Sequence, residues 1–224
     1  MGSKNKLKRF KENETFLNLI QPSREIVFEG RFELKGGWNS IYFKNNNPIV
    51  LELGCGKGEY TLHLAESNPK INYIGIDIKG ARIWRGAKTA FEKGLKNVAF
   101  LRTQIELLTQ LFSKDEVDSI WITFPDPQIK SRRAKHRLTN PDFLDRYRKI
   151  LKPKGVVNVK TDSEFLYGYT LGIIECEYGK VIYSHNDIYN NPNSPNEAKA
   201  VQTFYEKTFL KQGRQIAFIK FNFD

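Results

Sequence analysis

Between residues 48 and 162 the chain alternates short, continuous apolar runs with segments of helical apolar spacing, and this alternation restricts the fold more than any other feature. The apolar runs fall at 48–53, 71–76, 98–101, 119–124 and 156–159, and the helical segments at 60–66, 81–93, 105–112 and 141–151. Strands regularly separated by helices imply βαβ units and therefore a parallel sheet with helices on both faces. Runs that are apolar throughout, rather than at every second residue, belong to strands buried on both faces. After Asp162 the rhythm changes: a helical stretch at 165–176, a β-like run at 181–185, the polar loop NDIYNNPNSPNE, a helix at 197–210 and a last strand at 214–223. The expected fold is α/β and Rossmann-like: a mostly parallel seven-stranded sheet, its C-terminal strand expected to be antiparallel.

In an open sheet of this kind ligands bind outside the carboxyl ends of the strands, where the strand order reverses. The first strand runs into Glu52, then Gly54, Gly56 and Gly58, then Glu59. Glycines directly after a buried strand let the backbone turn tightly and let a ligand approach it. The dinucleotide fingerprint G-x-G-x-x-G would need its third glycine where Glu59 stands, and two acids beside the loop are a poor cradle for a pyrophosphate. This argues against a nicotinamide dehydrogenase and suits a cationic ligand with an amino-acid end, such as S-adenosylmethionine. Asp77 ends the second strand and is placed to grip two ribose hydroxyls; its plainer reading is a helix cap before Gly80. Gln104 follows the third strand and is positioned to meet an adenine edge.

The fourth strand ends in Phe124-Pro125-Asp126-Pro127, whose prolines stiffen the loop and hold Asp126 at the sheet edge. The next segment, QIKSRRAKHR, carries five Lys or Arg residues and no acid, and residues 4–11 carry five more, again with no acid. With a net charge of +11, this clustering suits a polyanionic partner, because cations at phosphates release condensed counterions. Residues 1–12 read as a flexible basic arm and residues 13–224 as one domain. Cys55 and Cys176 stand far apart without a CxxC or a His/Cys cluster, so neither a disulfide framework nor a metal site is expected. No apolar run approaches the roughly 20 residues of a membrane span, and the basic N-terminus has no signal-peptide core. A cytoplasmic protein is expected, as a monomer or a homodimer.

Taken together, ELGCGKG, FPDPQIKSRRAKHRL, VKTD and TFYEKTF resemble the bacterial tRNA (guanine-N7-)-methyltransferases, from about Gly36 to the C-terminus and in one order. The resemblance implies a class I methyltransferase fold and transfer of a methyl group from S-adenosylmethionine to N7 of a tRNA guanine, at variable-loop position 46. It implies that Glu52, Asp77, Gln104 and Asp126 contact the donor, together with the Gly54, Gly56 and Gly58 loop. It also implies that Lys130, Asp162, Thr203 and Glu206 contact the target nucleotide, and that Arg132, Arg133, Lys135, His136 and Arg137 engage tRNA. The sequence departs from the family at Gln104, where an acid is common, and at Gln128, where a Trp is common.

Guanine N7 offers an in-plane lone pair and has no proton to lose, so no general base is required. Asp126, Asp162 and Glu206 are candidates to stabilise the charge that methylation creates, and Asp126 is the first choice. Cytosine C5 methylation would need a cysteine nucleophile, and neither Cys55 nor Cys176 follows a proline at a strand end. Exocyclic-amine methylation uses an Asn/Asp-Pro-Pro-aromatic turn, unlike the loop here. Thr203–Glu206 also reads as a plain helix start, and Phe204, Tyr205 and Phe209 as core at helical spacing. Two other readings share the fold: a methyltransferase of another RNA or of a non-RNA substrate, and a non-catalytic RNA-binding protein.

Overall fold

The computed structural model describes residues 3–223. The elements in chain order are α1 (Ser3–Asn13), β1 (Leu19–Ile20), α2 (Arg24–Phe28), β2 (Ile49–Leu53), α3 (Glu59–Ser67), β3 (Asn72–Asp77), α4 (Gly80–Glu92), β4 (Val98–Arg102), α5 (Leu108–Leu111) and β5 (Val117–Thr123). They continue with α6 (Pro141–Ile150), β6 (Leu151–Thr161), α7 (Glu164–Ile173), β7 (Lys180–His185), α8 (Asn196–Lys199), α9 (Phe204–Lys211) and β8 (Ala217–Asn222). The sheet order is β1-β4-β3-β2-β5-β6-β8-β7, so the chain steps outward one way from β2 and the other way from β5. The switch point between β2 and β5 is where an open sheet of this type takes its ligand.

Among the described residues the sheet has eight strands, not seven, because Leu19 and Ile20 pair in parallel with Phe100 and Leu101 at one edge. Two residues are too few to leave a periodic signal. β8 runs antiparallel to both β6 and β7, as expected of the C-terminal strand. Successive side chains of β2 enter opposite layers: Ile49, Leu51 and Leu53 join one apolar cluster and Val50 joins the other. A strand covered on both sides has no reason to alternate polar and apolar residues.

The segment expected as a flexible basic arm forms α1 over Ser3–Asn13, while Met1 and Gly2 lie outside the described residues. Its polar side chains find specific partners on α4. Glu12 accepts from Trp84 Nε1 at 2.8 Å and Lys88 Nζ at 2.7 Å, and Asn13 donates to the Gly80 carbonyl at 3.0 Å. The Arg9 guanidinium lies over the Trp84 ring, 4.6 Å from its centroid. The helix expected at 197–210 is broken into α8 and α9, because Thr203 caps a new helix by accepting from Glu206 N at 3.3 Å. Among the described residues no helix is long and apolar enough to cross a membrane.

Candidate active site

The carboxyl ends of β2 to β6 open on one cleft of about 1420 Å3, lined by Gly54, Asp77, Gln104, Asp126 and Asp162 among others. Pockets for one drug-sized ligand run to roughly 300–1,000 Å3, and this cleft is larger than that. Arg133 and His136 stand on its wall, which joins the basic segment to the acids at the strand ends.

The glycine loop forms one side. Gly54, Gly56 and Gly58 adopt φ of 75°, 57° and 74°, the left-handed region that favours glycine. A Cβ on Gly58 would lie 2.6 Å from Phe100 Cε1, whereas one on Gly54 would meet nothing within 4 Å. Gly58 is therefore needed for packing, and Gly54 keeps its backbone open to the cleft. Asp77 ends β3 and ties the loop to it: Oδ2 accepts from Gly56 N at 2.9 Å and Oδ1 from Lys79 N at 2.7 Å. Lone pairs remain on both oxygens for a ligand.

Glu52 does not line the cleft. It is buried beneath the glycine loop, accepting from Thr61 N at 2.9 Å, from Thr61 Oγ1, and from Thr123 Oγ1 at 2.8 Å. Burial pushes its carboxyl up to about 7, against the pull of these hydrogen bonds. The position suits a buried negative charge under a cationic ligand better than a direct contact.

The loop after β5 is held under backbone strain. Phe124 and Gln128 sit at φ 49° and 47°, on either side of Pro125-Asp126-Pro127. Such non-glycine residues each cost on the order of 1–3 kcal/mol and persist only where the surroundings hold them. Asp126 is exposed, and its Oδ1 accepts from Gln128 N at 3.0 Å. Arg137, expected on the RNA face, is instead 6% exposed. Its guanidinium donates to the carbonyls of Gln128 (3.1 and 3.2 Å) and Ile129 (3.3 Å) and lies over the rings of Phe165 and Tyr169, 4.8 and 4.4 Å from their centroids. Its Nε and Nη2 donors are committed to holding the loop. Arg132, Arg133, Lys135 and His136 are exposed, and so is Lys130, which was expected at the target nucleotide but is not among the residues lining the cleft.

Across the cleft stands α9. Glu206, expected to meet the target nucleotide, is fully buried: Oε1 pairs with Lys160 Nζ at 2.7 Å and accepts from Tyr189 OH at 2.7 Å. Lys160, also fully buried, donates to the Val201 carbonyl at 3.0 Å. Burial pushes the Lys160 ammonium below the ordinary lysine range while Glu206 pulls it back up. As placed, Thr203 and Glu206 build the start of α9. Phe204 and Tyr205, expected in the core, are 63% and 51% exposed. Asp162 does reach the cleft and pairs with Arg214 at 2.5 Å.

The residues missed by sequence reasoning are thus Thr61, Thr123, Lys160, Tyr189 and Arg214. Lys160 did carry a signal, a cation directly after the apolar run at 156–159. A group with a cationic end fits this cleft: Asp77, Asp126 and Asp162 line it, Glu52 lies below, and Gly54 leaves backbone open to it.

Comparison with known proteins agrees. The family model described as "Putative methyltransferase" matches residues 46–219. A tRNA (guanine-N(7)-)-methyltransferase of Christiangramia forsetii is 62% identical over 221 residues, covering 99% of both chains. One of Porphyromonas gingivalis is 48% identical over 210 residues, covering 93% of this chain and 85% of the relative. Among solved structures, a 30S ribosomal A1408 methyltransferase from an uncultured bacterium superposes with a TM-score of 0.59 at 17% identity, covering 81% of this chain and 90% of the other. That likeness concerns the fold alone.

Proposed function

The chain belongs to the tRNA (guanine-N7-)-methyltransferase family, and from that premise we propose that it methylates N7 of the variable-loop guanine, position 46, of tRNA with S-adenosylmethionine as donor. The observation that carries the reading is the single cleft: acids and open backbone at the ends of β2, β3 and β4 share it with Asp126 and with Arg133 and His136 of the basic segment. A donor site and a polyanion-binding rim on one wall are what methylation of folded RNA requires.

When bound, S-adenosylmethionine supplies a methyl group on a positively charged sulfur. Asp77 is placed to grip the ribose hydroxyls, Gln104 the adenine edge, and the Gly54 backbone the amino-acid end. Glu52 contributes negative charge from below without touching the ligand. The attacking lone pair needs no deprotonation, so the chain's work is alignment and electrostatics. Asp126 and Asp162 face the space where the purine becomes positive and favour that charge. Arg132, Arg133, Lys135 and His136 hold the RNA backbone, with Lys130 at the entrance of that segment. Such a protein works in the cytoplasm, where tRNA is found.

The test is incubation of tRNA with labelled donor, followed by borohydride reduction and aniline cleavage at N7-methylguanine. Label and cleavage at the variable loop are expected, both lost on neutralising Arg132, Arg133 and Lys135 together. Label without aniline cleavage, or none with competent tRNA, overturns the proposal.

A further inference from the structure

Five aromatic side chains line the cleft: Phe124, Phe143, Tyr167, Tyr205 and Phe209. Phe143 is buried, and Phe124, Tyr167 and Phe209 are half-buried; Phe124 and Phe209 pack on each other with centroids 5.8 Å apart. Tyr205 alone of the five is exposed, at 51%. Tyrosine carries an apolar ring with a polar tip, and at the mouth of the cleft that ring is open to a partner.

The ring stands on a rigid base. Thr203 caps α9, Glu59 Oε2 accepts from Phe204 N at 2.8 Å, and the Glu206–Lys160 pair fixes the next turn from below. Phe204 braces the Tyr205 ring edge to face, with centroids 5.9 Å apart and planes at 76°. The Asp162–Arg214 pair lines the same cleft. The backbone is locked, and of the five rings lining the cleft Tyr205 is the one left exposed. That is the form of a stacking platform waiting for a flat partner.

The reaction supplies such a partner. An enzyme that modifies a base inside folded RNA draws the base out of its stack and holds it against aromatic surfaces. Methylation at N7 turns a neutral purine into a cation, and a ring face attracts a cation more than a neutral ring. A stack that strengthens as charge develops favours the transition state over the bound substrate. We propose that Tyr205 is the stacking platform for the target guanine, its ring face favouring the base as it becomes positively charged. This rests on the guanine-N7 reading above and adds a base-contacting residue to it.

Three measurements on the full chain test it: single-turnover methylation of a tRNA transcript at saturating enzyme, donor affinity by calorimetry, and inhibition by 7-methylguanosine monophosphate against guanosine monophosphate. Tyr205→Leu is expected to slow methyl transfer about tenfold, the loss of one base–aromatic stack. It should keep the parent's donor affinity and lose the preference for the methylated nucleotide. Tyr205→Phe, which keeps the ring and drops the hydroxyl, should stay within about threefold of the parent. A leucine variant as fast as the parent, a phenylalanine variant as slow as the leucine one, or a leucine variant that loses donor affinity each overturns the proposal. A parent enzyme that forms no N7-methylguanine sinks the functional reading instead, which separates the two failures.

Discussion

Replacing Lys160 with methionine removes a buried ammonium while keeping most of its stem, and the geometry around it sets the cost. Lys160 and Glu206 are both fully buried and 2.7 Å apart. In the variant, Glu206 keeps one donor, Tyr189 OH at 2.7 Å, while Val201 loses the donor at its carbonyl. The second Glu206 oxygen already lacks a protein partner. Removing one member of a buried ion pair costs about 3–5 kcal/mol, most of it the penalty of stranding the other charge. In a domain of this size each kcal/mol lowers Tm by about 2–4 °C, so a fall of roughly 6–20 °C is expected. Replacing both residues, Lys160→Met with Glu206→Leu, strands no charge and should return to within about 2 kcal/mol of the parent. Urea unfolding of the parent, both single variants and the double variant measures the coupling directly. Hydrogen exchange should show the amides of α9 opening first in Lys160→Met. A single-variant cost under about 1 kcal/mol, or singles that simply add in the double, would refute the reasoning.

Four further outcomes are expected around the cleft. Glu52 has a folded-state pKa of about 7 against 4.5 for an unperturbed carboxyl, so its stabilising contribution is present below about pH 4.5 and is lost as pH rises through 7. Ionised Glu52 is the form that favours a cationic donor, so calorimetric donor affinity should rise about tenfold from pH 6 to pH 8, and Glu52→Gln should flatten the profile. Arg137→Lys should lower kcat/KM for tRNA by about tenfold or more with donor affinity kept, because an ammonium cannot serve three carbonyl contacts and two ring faces as a planar guanidinium does; full activity would show that the loop holds itself. Gly58→Ala, at φ 74° with Phe100 Cε1 2.6 Å from the new Cβ, should destabilise by about 1–3 kcal/mol in denaturation. Gly54→Ala, with open space around it, should cost less, only the strain of its φ.

Much of the fold was legible because most strands announce themselves. Burial on both faces leaves mostly apolar runs in β2, β3 and β4 and in the C-terminal halves of β5 and β6, and helical apolar spacing marks the segments between them. What escaped depended on contacts remote in sequence. The basic N-terminal segment looks unstructured until Trp84 and Lys88 are set beside Glu12, 72 and 76 residues away. The break between α8 and α9 was written in Thr203, which also reads as a plain helix start, yet periodicity ran straight across it. In the site, the identities of the charged residues were legible and their directions were not.

Those directions depend on where each residue sits on its strand. Gly54 and Asp162 directly follow β2 and β6, Asp126 lies three residues past β5, and Asp77 is the last residue of β3; all four reach the cleft. Glu52 is the second-last residue of β2 and Lys160 the second-last of β6, and both turn between the layers instead. Their partners meet around Tyr60: Thr61 beside it holds Glu52, and the Lys160 ammonium lies 5.7 Å from its ring. The floor of the cleft is thus a buried polar layer in which the cation Lys160 stands with two carboxyls, Glu52 and Glu206. Lys160 balances Glu206, so the charge of the floor is set by Glu52, whose carboxyl is poised near neutrality. A cationic ligand above favours the ionised form of Glu52, and a neutral or anionic one does not. On the proposed function, selectivity for a positively charged donor is built one residue back from the strand ends, in a side chain that does not line the cleft.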